Sequence, residues 1–536
     1  MNTELELTFT LDQHMKMADP PSSAIKEKHL LEAARQKLGS RINERFRCTI
    51  LKKSIDARNK RRVLIVYRIR IDDENEDARQ ESPRPLNAPP PMPRPVVVGM
   101  GPAGMFAAIT LARNGMQPII IERGRPIESR IRDVEAYFNG APLVPFSNVQ
   151  FGEGGAGTFS DGKLNSGISD IRRAFVLKTF VQAGAPEEIL WASHPHIGTD
   201  RLRDVMLNIR SELLSLGATL LFERTVDEFL VNRGRIEGVY HASSTNGGDR
   251  TLLPCRSLVL AIGHSSRDTY AALRSAKISM TPKPFSVGLR IEHRQEWINR
   301  SQYGSFAGHP ALAAAEYKLV SHTSTGRALY TFCMCPGGVV VPGANAHGQV
   351  VTNGMSNYSR SGANANSAIL VGVDSPDFSE NDLFAGMRFQ ESLEHAAFVA
   401  GGGEGKAPCQ RLGDFLAGKA STSYGSVNPT FRPGVTCTDL RKILPEFVFE
   451  TIRLGISGME RKIKGFSHPD SLLTGIETRS SAPLRIVRDS SLCSPDAAGL
   501  YPCGEGAGHA GGIMSSAIDG IKCAEMIVAE HRGEAR

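Results

Sequence analysis

Residues 95–124 read PVVVGMGPAGMFAAITLARNGMQPIIIERG. The valines after Pro95 form a short apolar strand. Gly99-Met-Gly101-Pro-Ala-Gly104 then opens a helix whose buried face takes Phe106, Ile109, Thr110 and Leu111. Gly115 ends that helix, residues 118–121 make a second strand, and Glu122 stands at its tip. Gly99 allows the tight turn, Gly101 lets the backbone approach a pyrophosphate, and Gly104 lets helix and strand pack closely. The helix N-terminus presents unpaired N–H groups and partial positive charge to the phosphates. A carboxylate at the position of Glu122 can accept both hydroxyls of an adenosine ribose, and an acid rather than a base there disfavours NADP. Glycine loops alone are common. Here strand, glycines, helix, second strand and acid fall in register, and the stretch predicts a site for an adenine dinucleotide.

The far end of the chain decides which dinucleotide. Residues 499–524, GLYPCGEGAGHAGGIMSSAIDGIKCA, run from a strand through Gly504-Glu505 to a second glycine turn and a helix starting near Gly512. NAD has no need of this second element. FAD does, because its ribityl–flavin half must be held after the adenine end is fixed. Between the two lies SLVLAIGHSS (257–266), an apolar strand running into a glycine turn. The three elements in this order resemble the glutathione-reductase-like superfamily of two-dinucleotide-binding flavoproteins. FGEGGAGTFSDGKL (151–164), KPFSVGLRIEH (283–293), YTFCMCPGGVVVPGA (330–344) and APCQRLGDFL (407–416) narrow the likeness. They resemble the FAD-dependent dehydrogenase family, also labelled NAD(FAD)-utilising dehydrogenases, over nearly the whole chain, KKSIDARNK (52–60) included.

That resemblance implies an α/β architecture: a Rossmann-like FAD-binding domain with an inserted α+β substrate domain and a small N-terminal α/β domain. It also implies flavin redox chemistry without naming a substrate. The expected activity is that of an FAD-dependent oxidoreductase moving a hydride between flavin N5 and a small organic substrate, with NAD(P)H as a transient visitor. The alternatives are an RNA-directed flavoprotein acting through the basic N-terminal domain or a non-catalytic flavin-binding regulatory protein. Position by position, Gly99, Gly101, Pro102, Ala103, Gly104, Glu122 and Arg123 are expected at the ADP half, and Gly504 and Glu505 at the ribityl and pyrophosphate. The loop 152–163, with Gly155, Gly157, Asp161, Gly162 and Lys163, is expected near the isoalloxazine, and Gly263 near the nucleotide. Gly511, Gly512 and Ile513 would face the pyrimidine edge from a helix N-terminus, whose dipole favours charge at N1–C2=O of reduced flavin.

Outward from these motifs the chain divides. Residues 1–80 carry a strand-like LELTFTL, a helical SSAIKEKHLLEAARQKLG and two further strand-like runs. Residues 81–94 form a proline-rich linker, semi-rigid because proline fixes an extended backbone and removes ladder donors. Residues 95–280 begin the FAD-binding domain, 281–475 change texture into the expected substrate domain, and 476–536 return to strand–turn–helix.

Composition sets the class. With 41% hydrophobic and 22% charged residues the chain can bury a sizeable core. A net charge of +7 is too mild to imply nucleic acid by itself. Residues 41–62 are the exception, with nine basic residues (Arg41, Arg45, Arg47, Lys52, Lys53, Arg58, Lys60, Arg61 and Arg62) against Glu44 and Asp56. An RNA face and a solvated surface are both open, with few aromatics to favour the former. No stretch reaches the roughly 18 apolar residues that cross a bilayer. Nine scattered cysteines and an acidic N-terminus read as a cytoplasmic protein with reduced thiols.

Candidates for chemistry are fewer. Cys333 and Cys335 form a C-x-C pair, open to redox use or to plain packing, because adjacent-but-one cysteines make a strained disulfide. His509 sits in the C-terminal glycine turn and Lys163 in the first loop, both near the expected cofactor. His264 and Glu153 are either loop-fixing or functional, and Arg290 and His293 are candidates to bind an anionic substrate. No cysteine–histidine spacing predicts a metal.

Overall fold

The computed structural model describes residues 3–18, 23–38, 46–73, 92–165, 167–378 and 382–533. The expected linker, apart from residues 92–94, and Arg41 and Arg45 of the basic run lie outside the described residues.

The decisive stretch folds as a parallel sheet. Val96–Val98 pairs on one side with Ile119–Ile121 and on the other with Leu258–Leu260. Leu500–Pro502 and Thr219–Leu221 complete five strands, every neighbouring pair parallel. The strands are short and apolar because both faces are covered, as a parallel sheet requires. One cover is the helix Pro102–Arg113, whose residues from Ala103 to Ala112 are all buried. It carries almost no polar face because the C-terminal helix Ile513–Arg532 lies against its other side.

Glycine sets how close these layers come. A Cβ at Gly104 would stand 1.9 Å from Gly99 O, and one at Gly520 would stand 2.0 Å from Ala103 O. No side chain fits either gap, so the first and last helices of the parallel-sheet unit are locked together. Gly104→Val is therefore expected to force helix from strand and to cost about 3 kcal/mol, read as a lowered thermal midpoint.

A second sheet of seven strands lies between Phe285 and Glu477. Its order is Val320–His322, Ala328–Cys335, Asn364–Val373, Phe285–Arg294, Leu472–Glu477, Ala407–Arg411 and Val435–Cys437. All neighbours are antiparallel except the last pair. The central strand Phe285–Arg294 is buried over nine consecutive residues and packs against helices such as Glu446–Lys462 and against the strand Thr352–Met355. The chain leaves the parallel-sheet unit and returns to it through one antiparallel ribbon, Met280–Pro282 with Leu484–Ile486.

The N-terminal strands Thr3–Thr10, Phe46–Asp56 and Leu64–Asp73 form an antiparallel sheet with Leu64–Asp73 in the centre. Two helices, Leu11–Ala18 and Ser23–Leu38, accompany it, the first of which the sequence pattern did not indicate. This unit is anchored. Lys53 N donates to Trp191 O at 2.8 Å, Ser193 N donates to Lys53 O at 2.9 Å, and Phe306 and Leu312 pack against the unit's core. Part of the basic run therefore lies at a junction rather than on an open face, and Arg58 is paired with Asp56. Among the described residues no helix is long and apolar enough to cross a membrane.

Candidate functional site

A cavity of about 700 Å³ runs along the carboxyl ends of the parallel strands and under the second sheet. Parallel sheets place ligands there because every strand ends in a loop at that edge. The first glycine turn contributes Gly99, Gly101, Pro102 and Ala103, while Gly104 sits beneath as a packing residue. Glu122 and Arg123 also line the cavity, and Gly263 and His264 come from the middle turn. The loop 152–163 brings Gly155, Gly157, Asp161, Gly162 and Lys163. The C-terminal turn brings Gly504, Glu505, Gly511, Gly512 and Ile513, and the second sheet brings Cys333. Sequence-distant candidates thus meet on one surface.

Two helices end at this cavity with their N-termini uncapped by any side chain: Pro102–Arg113 behind Gly101, and Ile513–Arg532 behind Gly512. Unsatisfied N–H groups at both ends suit an elongated ligand with anionic groups. Space permits it. A Cβ at Gly101 meets nothing closer than 3.8 Å, and at Gly263 and Gly511 nothing within 4 Å.

Several expectations change in three dimensions. Glu122 Oε2 accepts from Met100 N at 2.8 Å, and Oε1 accepts from Gly124 N at 2.9 Å and Gly152 N at 3.0 Å. A carboxylate offers about four lone-pair positions. Three are taken in holding three turns together, which leaves room for one ribose hydroxyl rather than two. Both Asp161 oxygens are engaged by Arg360, so this carboxylate fixes the loop. His509 Nε2 meets Ile486 O at 3.0 Å; the ring faces the connecting ribbon and does not line the cavity. Cys335 is fully buried behind Cys333.

Arg290 and His293 are also placed differently. Both are 0% exposed, because the strand that carries them is covered on both faces. His293 Nε2 meets Phe466 O at 2.8 Å. Arg290 donates to Asn366 Oδ1 at 3.2 Å and to Cys333 O at 3.0 Å, with Glu477 Oε1 at 3.5 Å. Neither side chain is free for a substrate anion.

Glu153 supports the loop from below. Its Oε2 accepts from Ile127 N and Arg210, and burial pushes its carboxyl up to about 7. Arg130, also fully buried, donates to the carbonyls of Asn148, Val149 and Glu153. Three carbonyls around one guanidinium fix the shape of the glycine loop. No local pattern in the sequence marks Arg130.

The cavity's remaining chemistry lies in its other charged and titratable side chains. Burial pushes Glu505 up to about 7 against Lys283, and pushes Glu477 up to about 7 against Arg290. Burial, with Arg479 and Arg267 nearby, drives His264 down to about 3 and keeps the ring neutral. Arg479 reaches Ser265, Asn345 and Gln349 and pairs with Glu394. A second hollow of about 650 Å³ shares Phe332, Ser480 and Gly511 with the first and opens toward solvent.

Comparison with known proteins follows the same lines. Residues 284–480 match the family model described as FAD-dependent protein, C-terminal domain-like, and residues 1–72 match a domain of unknown function. Among solved structures, glycerol-3-phosphate dehydrogenase from Bacillus halodurans complexed with FAD is 11% identical, with a TM-score of 0.34, covering 82% of this chain and 65% of its own. A flavoprotein/dehydrogenase from Cytophaga hutchinsonii is 11% identical, with a TM-score of 0.35, covering 83% of this chain and 80% of its own. An uncharacterised protein of Clostridium beijerinckii is 45% identical over 509 residues, covering 92% of this chain and 94% of its own length. By that identity the chain belongs to the same family as the clostridial protein, and its residues 284–480 match the C-terminal domain model of FAD-dependent proteins.

Proposed function

We propose that the cavity holds FAD and that the protein is an FAD-dependent oxidoreductase acting on a small organic substrate. The observation that carries this reading is the pair of uncapped helix N-termini, about four hundred residues apart in the chain, on one elongated cavity. The residues present fit the group. Open space at Gly101 admits a pyrophosphate, Glu122 retains one lone-pair position for the ribose, and Gly511 and Gly512 leave the second helix terminus bare.

Bound there, FAD would supply hydride transfer. The chain's part is to bind and orient. The turns at Gly99–Gly101 and Gly504–Glu505 hold the two halves, and Lys163 and Arg479 offer positive charge inside the cavity. The second sheet roofs it and limits water. The solvent-open hollow beside Phe332 and Gly511 provides a way in for substrate and for a visiting nicotinamide.

The purified protein is expected to be yellow, with about one FAD per chain. Anaerobic addition of NADH or NADPH should bleach it, and a screen of organic acceptors should restore the colour. A colourless protein that takes up no added FAD would overturn this reading.

A further inference from the structure

The strand Ala328–Cys335 loses its regular pairing near its end. Phe332 faces Ala368, but the next pairing is Cys335 with Asn366, so one extra residue is accommodated on this strand. Cys333 takes up the irregularity with a left-handed φ of 43°. Such a conformation is unfavourable for a non-glycine residue. A bulge re-aims a side chain, and here Cys333 lines the cavity while Cys335 stays in the core.

Charged groups converge on this thiol from every element around it. Arg290, from the buried central strand, donates to its carbonyl and lies 3.5 Å from Glu477. Lys163 comes from the glycine loop, with Nζ 3.8 Å from Asp161, whose oxygens Arg360 already engages. Glu477 and Glu505 line the same cavity, and burial holds both carboxyls near neutral pH. Cys335 donates its S–H to Cys333 O at 3.4 Å. The Cys335 thiol, then Arg290 and Lys163, draw the Cys333 thiol well below the ordinary thiol range despite burial and Asp161.

We propose that Cys333 is the acid–base residue of the flavin reaction, exchanging a proton with a substrate carbon next to a carbonyl or carboxylate group. The proposal rests on the FAD reading above. In the oxidative direction, the substrate C–H bond beside its carbonyl breaks and the proton goes to the Cys333 sulfur. The bonding pair forms the new C=C bond as the neighbouring carbon gives up a hydride to oxidised flavin. In reverse, with the hydride supplied by bound reduced cofactor, the Cys333 S–H bond would break to protonate the substrate carbon, and sulfur would keep the electron pair beside Arg290 and Lys163. Lys163 is the cation that an anionic substrate group meets inside the cavity.

The test uses the full-length protein with its flavin and iodoacetamide as the probe, with each cysteine followed by mass spectrometry. Cys333 should alkylate well ahead of the other cysteines, with a rate that persists down to about pH 6, whereas an ordinary thiol slows below about pH 8.5. Cys335→Ala should raise the midpoint of that profile by about one unit, a shift that loss of packing alone does not produce. Alkylation no faster than at the other cysteines, or only above about pH 8.5, would overturn the proposal. Visible flavin absorbance of the same sample separates the two readings. A yellow protein with a sluggish Cys333 defeats only the acid–base assignment, and a colourless one that refuses FAD defeats both.

Discussion

Gly101→Glu yields a folded protein without flavin. The glycine is a clean place to intervene, because a Cβ there meets no protein atom closer than 3.8 Å. The added side chain projects into the cavity instead of the core, where it takes the space of the pyrophosphate and sets a negative charge against it. Loss of affinity for FAD should be at least 100-fold, or about 2.7 kcal/mol. Far-UV circular dichroism should remain native while visible absorbance disappears. Gly104→Val is the contrast, since its Cβ collides with backbone and unfolds the same region. Full flavin content in the Gly101→Glu protein would show that the cofactor lies elsewhere.

The second large effect is on stability. Glu394, on the helix Ala385–Ala400, is 0% exposed and accepts from Arg267, Arg479 and the Thr478 hydroxyl. Arg267 belongs to the parallel-sheet unit and Arg479 to the chain returning to it, so one carboxylate ties the two sheets together beside the cavity. Glu394→Gln keeps the shape and removes the charge, leaving the nearly buried Arg479 without its carboxylate and Arg267 with only the exposed Glu391. The expected loss is about 3–5 kcal/mol, seen as a large drop in the denaturant midpoint.

The same group predicts an acid limb. Burial raises the Glu394 carboxyl, but Arg479 and Arg267 outweigh it and hold the pKa at about 2 instead of 4.5. A depressed folded-state pKa contributes stability that is fully present above the unfolded value and is lost as pH falls through the folded one. Wild-type protein should therefore lose about 3 kcal/mol from this group between about pH 5 and pH 2. The Gln variant, already short of it, should show a flatter slope there. Equal slopes in the two proteins would remove Glu394 from this role.

Local pattern carried much of the site. The turn at Gly99–Gly104, the acid at Glu122 and the second turn at Gly504–Gly512 were legible because each glycine answers a short-range demand: a tight turn, a close approach or a bare helix end. Charged residues were less so. Arg290 and His293 read as substrate contacts, yet the strand that carries them is covered on both faces. Arg130 and Glu394 carried no motif, although they hold the glycine loop and the junction between sheets.

By itself the sequence determined a strand–glycine turn–helix α/β unit entered twice by the chain, since strand, turn and helix signals are set within a few residues of one another. Only the tertiary structure decided which side chains meet the cavity. Cys333 faces it because a bulge against a strand more than thirty residues away turns it there, and His509 faces away because the connecting ribbon takes its ring. Strand register and the pairing of buried charges depend on residues remote along the chain. Their energies appear only when those partners come into contact and water is excluded.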